Sequence, residues 1–306
     1  MTPLGRGALA VAAVGASGLA WGLIEARWYV LREVTVPVLP AGQRPLRILH
    51  LTDLHLRPDQ HRVVDWVRDL DSLDADLVVD TGDNWAHVGA MPALARALEP
   101  HLARPGAFVL GSSDYLAPRP KNPLRYLLPD ARTLVPSPVE LPWRELVDRM
   151  TSAGWLDLSN RRGTLDVDGR RLSLVGTDDA HLDRDALPGP DESGPAQADL
   201  HLGVIHAPYR RALEALRADG VDLAIAGHTH GGQVAVPLYG ALTTNCDLDT
   251  RRAKGLHGWP GARPDRPGGA DSMWLHVSAG LGTSPYAPVR FACRPEATLL
   301  TLVPTA

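Results

Sequence analysis

Five short apolar runs, each stopping at a residue able to hold a cation, constrain this chain more than anything else in it. In Leu49-His50-Leu51-Thr52-Asp53-Leu54-His55-Leu56 the run ends in a carboxylate and an imidazole two positions apart. Such a run reads as a buried strand entering a loop. Residues i and i+2 point the same way on an extended backbone, so Asp53 and His55 can reach one ion from the end of the strand. Alone, an Asp-x-His pair is weak, since it fits a capping Asp beside a surface His equally well. The pattern recurs, however, in Thr81-Gly82-Asp83-Asn84, Val109-Leu110-Gly111-Ser112-Ser113-Asp114, Val204-Ile205-His206 and Ala226-Gly227-His228-Thr229-His230-Gly231-Gly232. In an open α/β sheet, chemistry collects in the crevice beyond the carboxyl ends of the strands.

The 306 residues, 44% hydrophobic and 22% charged, suit one large α/β domain with an N-terminal extra. A net charge of -4 and a pI near 6.3 argue against a nucleic-acid partner, which calls for a basic stripe. Cys246 and Cys293 are too few for a disulfide scaffold and lack zinc-motif spacing. One bridge and two buried thiols both stay open.

Gly7 to Ile24 is an uncharged run of mainly Ala, Gly, Val and Leu, at the short end of what spans a bilayer. Trp21, Trp28 and Tyr29 suit a membrane interface, and Arg6 biases the remainder of the chain to the outer side. Residues 1–31 are therefore expected to anchor a membrane-associated, extracytoplasmic protein. A signal segment and a buried soluble helix are the competing readings. Pro37, Pro40 and Pro45 predict an extended linker over 32–44, with the main domain over 45–306.

Helical spacing covers His61 to Leu70, the region of Ala93 to Leu98, and Trp143 to Ala153, the last closed by Gly154. Asp168-Gly169, between two β-branched and aliphatic runs, signals a hairpin. Tyr115 to Pro129 is Pro-rich and carries Arg119, Lys121 and Arg125, which fits a lid clamping a substrate phosphate or a solvated surface loop. Trp259 to Asp271, rich in Pro and Gly, reads as a mobile loop.

In these segments the chain resembles the calcineurin-like metallophosphoesterase superfamily, whose motifs are Asp-x-His, Gly-Asp, Gly-Asn-His-Asp/Glu, a lone His and Gly-His-x-His. Here they stand as Asp53 with His55, Gly82-Asp83, Gly111-Ser112-Ser113-Asp114, His206, and Gly227-His228-Thr229-His230. Ser278-Ala279-Gly280-Leu281-Gly282-Thr283 and Arg294-Pro295-Glu296 look like the bacterial membrane-associated branch. The resemblance implies a four-layer α/β/β/α sandwich with the metal site at the carboxyl ends of the strands, preceded by an N-terminal hydrophobic helix. It also implies two divalent ions (Mn, Fe or Zn), with Asp53, His55 and His230 on the first, His206 and His228 on the second, and Asp83 bridging. A hydroxide held between the ions would attack phosphorus, hydrolysing a phosphoester or pyrophosphate bond with Asp83 central to catalysis. The expected partners are a phosphorylated small molecule or a lipid-linked diphosphate of the UDP-diacylglucosamine type.

One departure matters. Ser112 and Ser113 stand where the family supplies an Asn ligand and a His near the leaving group. A neutral Ser is a poor ligand, so weaker second-metal binding is expected, with water, Asp114 or Asn84 completing that site. His87 and His181 are the candidates to assist the leaving group, against the reading of each as a solvent-facing loop residue. The same departure motivates two rivals, a degenerate non-catalytic metal-binding module and a mononuclear hydrolase.

Overall fold

Strands as apolar as these must be covered on both faces, and the chain provides the cover by stacking two sheets. The structure, a computed structural model, describes residues 2–120, 137, 139–189 and 198–305. Helix α1 (Pro3–Glu25) leads into β1 (Val30–Leu39), β2 (Leu46–Leu51), α2 (His61–Asp69), β3 (Leu77–Asp80), α3 (Met91–Leu98), β4 (Gly106–Phe108) and the single turn α4 (Ser112–Tyr115). There follow α5 (Trp143–Ser152), β5 (Leu156–Asp157), β6 (Arg162–Val167), β7 (Arg170–Gly176), β8 (Leu200–Val204), α6 (Arg210–Ala218) and β9 (Leu223–Ala226). A small hairpin of β10 (Ala235–Val236) and β11 (Gly240–Ala241) precedes β12 (Gly255–Trp259), β13 (Met273–Val277) and β14 (Glu296–Pro304).

One sheet has the order β1-β14-β2-β3-β4-β5 and the other β12-β13-β9-β8-β7-β6. Their facing sides interlock through fully buried Ile48, Val79 and Leu300 from the first and Leu174, Leu202 and Ile225 from the second. Val64, Leu94 and Leu146 seat α2, α3 and α5 on the outer face of the first sheet, and Leu213 and Leu216 seat α6 on the second. The result is the expected α/β/β/α layering. Strands β2, β3 and β4 run parallel, as do β7, β8, β9 and β13, so the donor-bearing segments follow the carboxyl ends of strands. The expected hairpin forms between β6 and β7, with Asp168 and Gly169 at φ 51° and 75°.

Two expectations need correction, one alternative is decided and one expectation is refined. Residues 32–44 are not a linker as a whole: β1 pairs in parallel with β14 from Val30 opposite Glu296 to Leu39 opposite Pro304. Pro37 is tolerated because β1 is an edge strand and its register shifts between Pro37 and Leu39. The domain therefore begins at β1, not at residue 45. Secondly, α1 forms, but among the described residues no helix is long and apolar enough to cross a membrane, so the transmembrane anchor is not supported. Much of the run is Ala, Gly and Ser, which contribute little apolar surface. The end of α1 is instead docked on the domain, where buried Glu25 accepts the N–H groups of Ala292 (3.1 Å) and Cys293 (2.6 Å).

Thirdly, Cys246 and Cys293 are free, buried thiols in separate core clusters and form no bridge. Lastly, Trp259 to Asp271 is a loop as expected apart from Trp259, the last residue of β12, and Arg252 ties it down through the carbonyls of Pro260 (2.7 Å) and Gly261 (3.0 Å). Lys121 and Arg125 of the expected lid lie outside the described residues; Arg119 is half-buried.

Candidate metal centre

The strand ends are held in costly conformations. Asp53, His55, Asp83, His228 and His230 adopt φ of 51°, 43°, 57°, 68° and 49°, in the left-handed region that side chains with a Cβ rarely occupy. Each costs on the order of 1 kcal/mol or more, and such strain gathers where function requires it. Neighbouring glycines make room. A Cβ on Gly227 would stand 2.6 Å from Asp53 Oδ2, and one on Gly111 would stand 2.4 Å from Asp83 Oδ1 and 2.7 Å from His206 Cε1.

Into this space the donors converge. His55 Nε2 lies 3.1 Å from His230 Nε2 and 3.4 Å from Asp83 Oδ2. His230 Nε2 lies 3.4 Å from Asp53 Oδ1, and His206 Nε2 lies 3.5 Å from Asp83 Oδ1. Two compact groups result, Asp53-His55-His230 and Asp53-Asp83-His206, each with its ligand atoms within 4.8 Å of one another. Asp83 presents one oxygen to each side, the placement a bridging carboxylate requires. Buried Asp53 Oδ1 and His206 Nε2 have no hydrogen-bond partner, although buried polar atoms are normally satisfied. Carboxylate and imidazole lone pairs facing one another without partners fit borderline divalent ions.

Other groups fix the ligands. Thr52 Oγ1 (2.8 Å) and the His228 N–H (3.0 Å) both donate to Asp53 Oδ2. A carbonyl only accepts, so the contact of His206 Nδ1 with Thr81 O (2.7 Å) puts the proton on Nδ1 and leaves Nε2 for an ion. By the same logic, His228 Nε2 donates to Asn245 O (3.1 Å), leaving Nδ1. His228 lies outside the two compact groups, with its ring 5.2 Å from that of His206. Ser113 takes a different part from the residue it replaces: its N–H (2.7 Å) and Oγ (3.1 Å) donate to the two oxygens of Asp83. Asp114 is corrected as a ligand, since its oxygens accept the N–H groups of Gly111, Asp83 and Asn84. Asn84 Nδ2 donates to Asp80, while its buried Oδ1 has no partner.

Electrostatics divides the histidines. Burial lowers His206, but Asp83, Asp53 and Asp179 outweigh it and raise the ring to about 9. Burial pushes Asp83 up, and His206 and His55 overcome this to hold it far below the usual carboxylate range. His206 thus carries a cation beside Asp83 that an arriving divalent ion would displace, releasing a proton. His228 and His230 are pushed well below their usual value, first by burial, then by His181 and His55 respectively, so both offer neutral lone pairs.

The remaining candidates separate. His181 stands at the centre, its ring 4.8 Å from that of His228 and its Nδ1 3.1 Å from the Tyr209 hydroxyl. His87 is exposed, with Nδ1 accepting the N–H of Gly89 (2.9 Å) in its own turn. Sequence reasoning missed Arg290, which is fully buried 60 residues beyond His230. It donates to the carbonyls of Ala279 (2.7 Å), Gly280 (3.0 Å) and Gly282 (2.7 Å) and reaches His230 Nδ1 at 3.2 Å. No metal-type spacing signals it.

Comparison with known proteins follows the same strand ends. The chain is 31% identical over 156 residues to phosphodiesterase YaeI of Escherichia coli (strain K12), covering 51% of this chain and 50% of that protein. It therefore matches about half the length of that relative. Similarity to the uncharacterized protein YpbG of Bacillus subtilis (strain 168) is 24% over 270 residues, covering 85% of this chain and 82% of that one. Among solved structures, NAD nucleotidase of Haemophilus influenzae aligns with a TM-score of 0.43 at 15% identity, over 78% of this chain and 46% of that one. Residues 46–232 match the model of the calcineurin-like phosphoesterases, and because that match spans every donor-bearing strand end and more than half of the sequence, this chain belongs to the calcineurin-like phosphoesterase family.

Proposed function

We propose that this protein hydrolyses a phosphoester or pyrophosphate bond at a dinuclear metal centre. The observation that carries the reading is Asp83, whose two oxygens face His55 at 3.4 Å and His206 at 3.5 Å. Asp53, His55 and His230 would hold one ion, and Asp83 and His206 the other, with His228 Nδ1 adjacent. When bound, such a pair supplies Lewis-acid neutralisation of phosphoryl charge and makes water acidic enough to react near neutral pH.

The protein residues do the positioning. Ser113 fixes the plane of the Asp83 carboxylate, and Thr52 with the His228 N–H fixes Asp53. Three buried imidazoles and two buried carboxylates leave little room for bulk water beside the phosphorus. His181, oriented at Nδ1 by the Tyr209 hydroxyl, is the group that holds a proton for the leaving oxygen.

As a finer reading, we take the substrate to be a lipid-linked diphosphate met at a membrane surface. Trp21, Ile24 and Trp28, exposed at 45%, 58% and 49% around the end of α1, support it. Vesicles containing a diphosphate lipid should be hydrolysed faster than a water-soluble analogue; equal rates would remove the lipid part.

The decisive test is metal content, together with bis-p-nitrophenyl phosphate hydrolysis by the full chain under Mn titration. Two ions per chain and activity abolished in Asp83→Asn are the expected results. One tightly bound ion with full activity would establish the mononuclear rival. No turnover with any divalent ion, but activity gained on restoring Asn at 112 or 113, would establish the degenerate module.

A further inference from the structure

A concavity of about 220 Å³ opens directly beside His55, between the end of α1, the start of α2 and residues 281–288. Its wall carries Arg27, Arg57, His61 and Arg62, against Asp59 as the sole carboxylate among the residues that line it. Arg57 already meets Asp59 through Nε (3.2 Å) and Nη2 (3.0 Å). Arg27 donates to the Leu23 carbonyl (3.4 Å), and among the described residues neither Arg27 nor Arg62 has a carboxylate partner. Arg290 lies fully buried nearby, its guanidinium spent on carbonyls. Tyr29 lines the same recess as Arg27 and Arg62.

Uncompensated guanidinium groups repel one another, and gathering them on a concave wall raises the local potential for an anion. Arginine is the residue suited to planar, two-point recognition of phosphate oxygens. A purely solvated charge run would be expected to spread over a convex surface. Here the charges line a recess that includes a metal ligand, and the recess has room for a group the size of a phosphate, given about 30 Å³ per water.

We infer that this recess is a subsite for a second anionic group of the substrate, one phosphoryl unit from the metal centre, with Arg27 and Arg62 as its principal contacts. The inference rests on the phosphoesterase reading above and adds the residues that would select a diphosphate ester over a simple phosphodiester. Arg57, held by Asp59, sets the field and makes no direct contact.

The test is the double variant Arg27→Ala/Arg62→Ala in the full chain; both side chains are exposed, so the core is kept. One readout is calorimetric binding of uridine 5′-diphosphate in EDTA, which needs no metal. A second is inhibition by UDP-glucose of bis-p-nitrophenyl phosphate hydrolysis with Mn. We expect diphosphate affinity to fall tenfold or more by both readouts, while KM for the singly charged diester rises less than threefold. Arg217→Ala, on α6 and paired with Glu214, controls for net charge. The inference is overturned if wild type and double variant bind uridine 5′-diphosphate alike, if wild type does not bind it at millimolar concentration, or if both substrates weaken equally. If no protein turns over the diester with any divalent ion, the phosphoesterase reading fails, and the calorimetric comparison alone decides the subsite.

Discussion

Adding one methyl group at Gly111 perturbs the metal centre without removing a ligand. The backbone there is extended, with φ -108° and ψ 175°, a conformation alanine adopts freely. The new Cβ would nevertheless stand 2.4 Å from Asp83 Oδ1 and 2.8 Å from His206 Nδ1. Ordinary contact begins near 3.4 Å, so the carboxylate oxygen must withdraw by about 1 Å. The Ser113 N–H on that oxygen and the Ser113 hydroxyl on Oδ2 hold the carboxylate against the movement. A displacement of about 1 Å at a reacting centre costs about 100-fold in rate, near 2.7 kcal/mol, whereas overpacking costs about 1–3 kcal/mol of stability. We expect Gly111→Ala to remain folded, to bind a second Mn ion more weakly by calorimetry, and to lose about 100-fold in kcat on bis-p-nitrophenyl phosphate. Gly163→Ala, whose Cβ would meet Leu156 Cδ1 at 2.7 Å, provides a packing control. A folded Gly111→Ala protein with two bound ions and kcat within threefold of wild type would refute the assignment of Asp83 and His206 to an ion site.

Deleting residues 1–44 removes β1 and with it the fully buried Val36 and Leu39, each contributing about 1.5–3 kcal/mol, and exposes the edge of β14. Thermal unfolding should fall sharply or the protein aggregate; an unchanged Tm would restore the linker reading. Arg290→Met removes the side-chain donor from the carbonyls of Ala279 and Gly282, while Gly280 O keeps the Glu296 N–H, and should cost about 2–3 kcal/mol in urea unfolding, with Arg290→Lys recovering only part because an ammonium is more strongly hydrated than a guanidinium and costs more to bury. Far from the centre, Asp219 meets Arg162 (2.5 Å) and His201 (2.9 Å). Burial raises the Asp219 carboxyl, but these partners hold it below its usual 3.8, so its contribution is present above that value and is lost as pH falls through the lower folded value. Asp219→Asn should therefore cost about 1 kcal/mol at neutral pH, since the pair is partly exposed, and the gap should close in acid. A gap independent of pH would show that the charge is not what matters.

The sequence by itself determined the candidate metal-holding residues and their order. Asp53 with His55, Asp83, His206 and His230 were legible because donor type and strand ending are local properties; the extended i, i+2 geometry expected of Asp53 and His55 does not form, since both adopt positive φ. The four-layer arrangement came with the family resemblance, and the uniformly apolar strands agree with it because they require cover on both faces. The edge strand β1 was not legible, because its partner β14 lies more than 260 residues away and Pro37, Pro40 and Pro45 argue locally for a linker. Nor was the docking of α1, which depends on Glu25 meeting the amides of Ala292 and Cys293. Ser113 reads as a lost ligand until the fold shows it gripping Asp83, and Arg290 reads as an ordinary basic residue until the chain returns to place it against His230. Side-chain chemistry is written residue by residue, whereas the partner of a buried polar group is chosen only when distant segments pack, and that choice belongs to the tertiary structure alone.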